Sequence, residues 1–287
     1  MKRGLLFTNH FLSSPHFDAL YAQLDSAAAG LGIALSHATG GDAMCAFEGH
    51  PARDVDFVLF WDKDIAAARR IVRHGIPVFN SPDAIRICDS KSETAEALLS
   101  AGIPTPRTLC APTTYGNVGY TKTDFIEKAG EALGFPLVIK ECYGSFGEQV
   151  YLAQTVAEAE RIVAAIGARP FVFQEMIAEA FGTDIRVNVV GERAVCAMRR
   201  TGKTGDFRSN IAGGGRGEAY TLSEREASLA VAAARAVGAD FAGVDLLLGK
   251  HGPLVCEVNS NPHFTGTLRY TGIDLAVPIF EHILKSI

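Results

Sequence analysis

A buried strand, a helix and a second buried strand run on without a gap in "VDFVLFWDKDIAAARRIVRHGIPVFNS", residues 55 to 81. A helix between two such strands is the mark of a parallel crossover, because parallel neighbours need a long connection and a helix supplies it. With the earlier apolar run "GLLFTN", residues 4 to 9, this predicts a small parallel α/β lobe at the N-terminus. The chain has 287 residues, and a domain typically spans roughly 100–200, so two or three lobes are expected.

The rest of the chain reads as a different mixture. "DSKSETAEALLSAGIPTP" has the marks of a complete helix, with Ser90 and Glu93 as a capping box, Gly102 as the stop and Pro104 beyond it. Residues 111 to 122 are polar and turn-rich and read as a loop. From Phe135 follow the strand "FPLVIK", the glycine turn "YGSFGEQ", the strand "VYLA" and the helix "TVAEAERIVAAIG", where Thr155 and Glu158 form a second expected capping box. Then come "FVFQEMI", "DIRVNVVGERAVCAMRR", a glycine-rich connection from 201 to 217, a helix over 223 to 238, a hairpin, and a last helix over 274 to 286. No internal repeat or low-complexity tract is present.

Composition narrows the function classes. Apolar residues are 48 % and charged residues 21 % of the chain, an ordinary folded composition, and a net charge of −5 without a basic block argues against a nucleic-acid partner. The start "MKRGLLFTNHFLSSPHF" lacks the apolar region of a signal peptide, and no stretch has the apolar length of a membrane helix, so a cytoplasmic enzyme or binding protein is expected. The cysteines at 45, 88, 110, 142, 196 and 256 show no zinc spacing and are expected to be reduced, packed thiols.

The hairpin "AGVDLLLGKHGPLVCEVNSNP", residues 242 to 262, places acids in apolar strands. With Lys250, His251 and Gly252 as the loop, Gly249 pairs with Pro253, Asp245 faces Glu257, and Asn259 lies two residues on along the same face; a two-residue loop puts the acids on opposite faces. Two facing carboxylates repel and need a cation if buried, and carboxylate and amide oxygens without thiols favour a hard ion such as magnesium. A wet polar strand face is the alternative on spacing alone.

Cations recur elsewhere. Lys140 ends an apolar strand beside a glycine turn whose backbone N–H groups suit an anion. Lys91 begins a helix, the end that favours negative charge, which suggests that it serves something outside the helix; a solvated lysine is the plain reading. In "RRTGKTGDFRSNIAGGGRG", basic residues alternate with glycines, compatible with an anion site or a surface loop.

The stretches "NSPDAIRICDSKSETAEALLSAGIPTPRT", "VIKECYGSFGEQV", "FQEMIAEAFGTDIRVNVVGERAVCAMRR", "GDFRSN", "AGVDLLL" and "CEVNSNP" together resemble the ATP-grasp carboxylate–amine ligases of the RimK type, over roughly residues 78 to 287. The resemblance implies an α/β (α+β) chain with the ATP-grasp fold. Residues 1–88 would form a Rossmann-like N-terminal lobe, 89–173 a central lobe with the glycine-rich phosphate loop, and 174–287 a C-terminal lobe with the metal site, ATP lying between the last two. It implies ATP and two magnesium ions, with manganese as a substitute, an amino-acid carboxylate donor such as glutamate, and an amine acceptor on a small molecule, peptide or protein tail. No membrane partner is implied, and a homo-oligomer is left open.

By the same resemblance Lys91 and Lys140 contact the ATP phosphates, and the loop with Tyr143, Gly144, Ser145 and Gly147 covers them. Gln174, Glu175, Met176 and Ile177 form the hinge that reads adenine mainly through backbone groups, and Asp184 lies near the ribose. Arg208, Ser209 and Asn210 serve the phosphates and the acceptor; Arg208, Arg200 and Lys140 are the implied catalytic cations, and Asp245, Glu257 and Asn259 the metal ligands. The implied reaction passes the γ-phosphoryl group to a carboxylate, giving an acyl phosphate and ADP, after which an amine displaces phosphate.

The chain departs from the family at three places. The common "RSNLHRGG" reads "RSNIAGGG" with Ala212 and Gly213, the phosphate loop carries Tyr143 and Phe146, and the usual "NASPG" ending reads Ser260, Asn261, Pro262, His263. These positions bear on substrate choice. A regulatory ATP-binding module without ligase activity is the alternative from another class, and a ligase adding glutamates to a ribosomal protein's C-terminus is a third reading.

Overall fold

The computed structural model describes residues 1–44, 49–144, 147–209 and 214–287. The parallel lobe expected at the N-terminus is present. Strands β1 (Arg3–Thr8), β2 (Ala34–Thr39), β3 (Phe57–Trp61) and β4 (Val78–Phe79) pair in parallel in the order β2-β1-β3-β4. Every residue of β3 is buried, as a continuous apolar strand in the middle of a parallel sheet must be. Helix α1 (Pro15–Gly30), which the sequence reading passed over, starts on the Ser14 cap with proline in its first turn. It covers one sheet face, and α2 (Ile65–Arg73) the other.

After α3 (Pro82–Asp89) and α4 (Lys91–Ser100) comes an antiparallel sheet in the order β5-β8-β6-β7. It is built from β5 (Thr108–Cys110), β6 (Leu137–Glu141), β7 (Val150–Ala153) and β8 (Phe171–Glu175). Helices α5 (Asp124–Leu133) and α6 (Val156–Ile166) pack on it through Ile126, Val163 and Phe173. The two expected capping boxes are half formed. Ser90 and Thr155 accept from the backbones of Glu93 and Glu158, but Glu93 pairs with Arg86, and Glu158 accepts from the Gln154 backbone instead. The complete box is on α7 (Glu224–Ala236), between Ser223 and Glu226.

The third sheet runs β11-β10-β9-β12-β13, from β9 (Thr183–Val190), β10 (Arg193–Thr201), β11 (Arg216–Ala219), β12 (Phe241–Gly249) and β13 (Gly252–Asn259). Helix α7 packs on it, while α8 (Thr265–Thr271) and α9 (Ala276–Ser286) lead the chain back to the first lobe. There Phe241, Phe264 and Phe280 join Leu20, Leu24 and Phe57 in one core. The last strands of the three sheets end at Phe79, Glu175 and Asn259, and the expected division at 173/174 falls inside β8.

The hairpin turns differently from the expectation. Gly249 pairs with Gly252 and Leu248 with Pro253, which leaves Lys250 and His251 as a two-residue loop. That register alone would set Asp245 against Cys256. A bulge between Leu246↔Val255 and Asp245↔Glu257 makes Cys256 the extra residue and restores the facing acids, with Gly243 opposite Asn259. The cysteines are free thiols, but they are not uniformly packed: Cys88, Cys142 and Cys196 are buried, Cys110 is exposed and Cys256 is half-buried, while Cys45 lies outside the described residues.

Candidate active site

A cleft of about 740 Å³ is walled by the second and third sheets and closed at one side by the first lobe. Lys91, Lys140, Gly144, Gly147, Gln174, Glu175, Met176, Ile177, Asp184, Arg200, Arg208, Ser209, Asp245, Glu257 and Asn259 all line it. Tyr143 does not: its side chain is exposed. Ser145 and Asn210, with the departures at Phe146, Ala212 and Gly213, lie outside the described residues.

Strand register builds the electrostatic centre. Arg200 on β10 lies opposite Asp184 on β9, and Arg186, two residues further along β9, lies opposite Asp245 on β12. The two-residue spacing puts both pairs on one face. Arg200 donates from Nε and Nη2 to the two Asp184 oxygens at 2.7 and 2.5 Å, and its Nη2 lies 2.8 Å from Asp245 Oδ2. Arg186 holds both Asp245 oxygens, Nη2 donating to Oδ2 at 2.9 Å. Ser209 donates its hydroxyl to Asp184. Burial pushes the Asp245 pKa up, yet Arg186 and Arg200 outweigh it and hold the carboxyl below its ordinary value. Asp245 therefore needs no divalent ion to offset its charge, contrary to the electrostatic step drawn from the hairpin alone. Asp184, assigned to the ribose by resemblance, spends its oxygens on Arg200 and Ser209.

Lys140, near the end of β6, reaches Cys256 Sγ at 3.3 Å, and Lys91 Nζ lies 3.9 Å from Glu257 Oε1. Burial opposes the Lys140 charge, but the Cys256 sulfur and the Glu257 and Asp245 carboxylates more than offset it and raise its pKa. The two lysines thus reach adjoining residues of β13, Cys256 and Glu257. Among the described residues no three His, Cys, Asp or Glu side chains gather as a metal site. Asp245 facing Glu257, with Asn259 on the same strand, still offers carboxylate and amide oxygens, and a carboxylate oxygen bonded once retains a lone pair. That hard-oxygen set fits magnesium.

Arg208 pairs with Asp206 and donates from Nη1 to the Gly147 carbonyl at 3.0 Å, which ties the glycine turn to the connection after β10. At the hinge, Glu175 turns its carboxylate to the backbone N–H and guanidinium of Arg107, both at 2.8 Å, so its side chain is committed away from a nucleotide. Arg186, Cys256 and the first lobe's Asn9, His16 and Asp62 also line the cleft and were not expected. For Arg186 a signal existed, since "DIR" places it two residues after Asp184 on one strand face.

Residues 88–283 match the family model of the RimK-like ATP-grasp domain. Over 209 residues the chain is 42 % identical to a probable alpha-L-glutamate ligase of Picosynechococcus sp., an alignment covering 72 % of this chain and 67 % of that protein. Its fold is similar to that of a RimK domain ATP-grasp protein from Sphaerobacter thermophilus, with a TM-score of 0.74 at 21 % identity over 96 % of this chain and 98 % of the other. D-alanine–D-alanine ligase from Bacillus anthracis, solved with ATP, gives a TM-score of 0.74 at 19 % identity over 99 % and 97 % of the two chains. At these identities the structural likeness establishes the fold.

Proposed function

The chain belongs to the RimK-like ATP-grasp family of ATP-dependent carboxylate–amine ligases, and from that premise we propose how its own residues serve the reaction. ATP-grasp ligases use ATP with magnesium; activation of a carboxylate as an acyl phosphate precedes attack by an amine. We assign the phosphates to Lys91, Lys140 and Arg208, with the glycine turn at 144 to 147 drawn over them by Arg208. Fixed cations around a migrating phosphoryl group act by positioning and by stabilising the charge that develops, and no nucleophilic side chain is required.

Asp245, Glu257 and Asn259 would hold two magnesium ions, or manganese in their place. Bound there, the ions would neutralise the phosphate oxygens. Arg200 and Arg186 keep Asp245 ionised and in place, so Arg200 acts as a positioning residue. Gln174 to Ile177 take the adenine through their backbone, and the Tyr143 backbone, its side chain being turned out of the cleft, completes the proposed phosphate and acceptor contacts with Ser145 and Asn210. The proposed lobes, 1–88, 89–173 and 174–287, place this site between the second and third.

The proposed carboxylate donor is an amino acid such as glutamate, as the name of the Picosynechococcus relative suggests, and the acceptor is an amine on a small molecule, peptide or protein tail. No helix among the described residues is long and apolar enough to cross a membrane, which is compatible with a cytoplasmic ligase. The observation that carries the reading is that Lys91 lies beside Glu257 and Lys140 beside the adjoining Cys256, with Asp245 facing Glu257, inside one large cleft. The test is ADP release with magnesium-ATP across a panel of amino acids and amines, with products weighed by mass spectrometry. An amide product with stoichiometric ADP supports it; tight ATP binding with no turnover on any pair would favour a regulatory module.

A further inference from the structure

The first lobe and the segment just after β13 contribute hydrogen-bond acceptors to the cleft that no part of the phosphate chemistry uses. Asp62, immediately after β3, is 9 % exposed. Its Oδ1 accepts from the Asn9 side chain at 3.1 Å and from the Lys63 backbone at 2.7 Å, while Oδ2 has no partner among the described residues. Among the described residues no cationic side chain pairs with it: the neighbouring Lys63 is taken by Asp89, and Arg186 by Asp245. Asn261 donates from Nδ2 to the Asp62 carbonyl at 3.1 Å. A carbonyl only accepts, so this bond fixes the amide orientation and makes Oδ1 the buried atom left without a partner.

Asp62 Oδ2 and Asn261 Oδ1, on two residues that line the cleft, thus lack a donor among the described residues, and His263 beside them has no proton to give. His263 stacks on His16 with ring centroids 3.4 Å apart, and Phe17 meets its ring edge on. His263 Nε2 donates to the His16 carbonyl at 3.1 Å, and Nδ1 accepts from the Thr265 hydroxyl at 3.2 Å, which is the bonding of a neutral imidazole. Asn261 Oδ1 is buried, and a buried acceptor without a donor is costly, while the Asp62 carboxylate lacks a counter-charge among the described residues. A primary ammonium has three donors and the charge that Asp62 lacks, and aromatic faces suit its carbon body.

We propose that Asp62 and Asn261 form a subsite for the ammonium group of an amine-bearing substrate, walled by Phe17 and the stacked His16 and His263. The inference rests on the ligase reading for the identity of that substrate as the amine of the reaction; the binding chemistry stands on the side chains themselves. Asn261 follows the metal-ligand candidate Asn259 by two residues, a strand-like reach of roughly 7 Å, so the subsite borders the reacting groups. This also gives a physical role to the ending "SNPH", where the chain departs from its family.

The test uses the full chain without ATP, so that its outcome does not depend on turnover. Phenethylammonium chloride and the neutral 2-phenylethanol are titrated separately while the side-chain amide of Asn261 is followed by NMR. The ammonium is expected to give a saturable shift and the alcohol none; isothermal calorimetry, which needs no Asn261 reporter, is expected to show ammonium binding at least tenfold weaker in Asp62→Asn and severalfold weaker in Asn261→Ala. ATP binding by both variants, measured alongside, reports that the cleft is intact. Equal binding of alcohol and ammonium, or Asp62→Asn binding within twofold of the parent, would overturn the subsite even if the ligase reaction is found. With the amine identified by the substrate panel, Asp62→Asn is expected to raise the KM for that amine tenfold or more while the KM for ATP stays within threefold; an unchanged amine KM would also overturn it.

Discussion

Asp245 faces Glu257 across β12 and β13 because Cys256 is bulged out of register between them. Without the bulge the two-residue turn would send the acids to opposite faces, since a one-residue slip inverts every side chain. The bulge also aims the Cys256 sulfur at Lys140. One irregular residue thus brings both carboxylates and a lysine to the same wall.

Glu257→Gln keeps the shape and removes the charge. The Glu257 side chain is 34 % exposed and its nearest cation is Lys91 at 3.9 Å, so stability should change by no more than ~0.5 kcal/mol. ADP release should fall by about 100-fold or more, because the lost carboxylate acts on the phosphate side of the reaction. Urea unfolding and a coupled ADP assay make the comparison; activity within tenfold of the parent would remove Glu257 from the metal assignment.

Arg200→Met should act in the opposite sense, on the fold. The change leaves Asp184 without its bidentate partner and Asp245 with Arg186 alone, both carboxylates nearly inaccessible to water. Breaking a buried pair from one side typically costs about 3–5 kcal/mol. A loss under ~1 kcal/mol in urea unfolding would show that the remaining partners suffice.

His263 should titrate far below a free histidine. Burial, then the nearby charge of His16, bring its pKa from 6.5 down to about 4. Between those values the unfolded chain binds the proton and the folded chain does not, so this residue makes stability rise with pH across the window and fall as pH drops from about 6.5 to about 4. NMR of the imidazole should place its midpoint near 4, and His263→Asn should flatten that part of the stability profile. A midpoint near 6.5 would contradict the packed, neutral ring.

Lys140→Met removes a buried charge without removing much volume, so the fold should survive. A ligand present at 100 times its Kd stabilises a protein by about 2.7 kcal/mol. That gain, read as the thermal shift on adding magnesium-ATP, should be present in the parent and largely absent in the variant. An undiminished shift would place Lys140 outside the phosphate site.

Much of this site was legible in the sequence because its signals are local. Ser90 before Lys91 and the glycine turn after Lys140 announce themselves within a few positions, and Arg186, two residues after Asp184 on one strand, carried a local signal that the sequence reading passed over. What was not legible depends on distant partners or on one residue of register. No local pattern shows that Cys256 is a bulge, that Arg186 and Arg200 converge on Asp245, or that Asn261 reaches Asp62 across 199 positions. Helix α8, "TGTLRYT", has neither a side-chain cap nor a long apolar period to reveal it.

The central claim is that phosphoryl transfer to a carboxylate precedes amide formation, and an isotope answers it directly. The carboxylate substrate identified by the panel, labelled with oxygen-18 in its carboxyl group, is turned over with magnesium-ATP and the amine, and the released phosphate is examined by phosphorus NMR. Passage through an acyl phosphate predicts one oxygen-18 atom in each phosphate released; unlabelled phosphate formed together with amide product would contradict it.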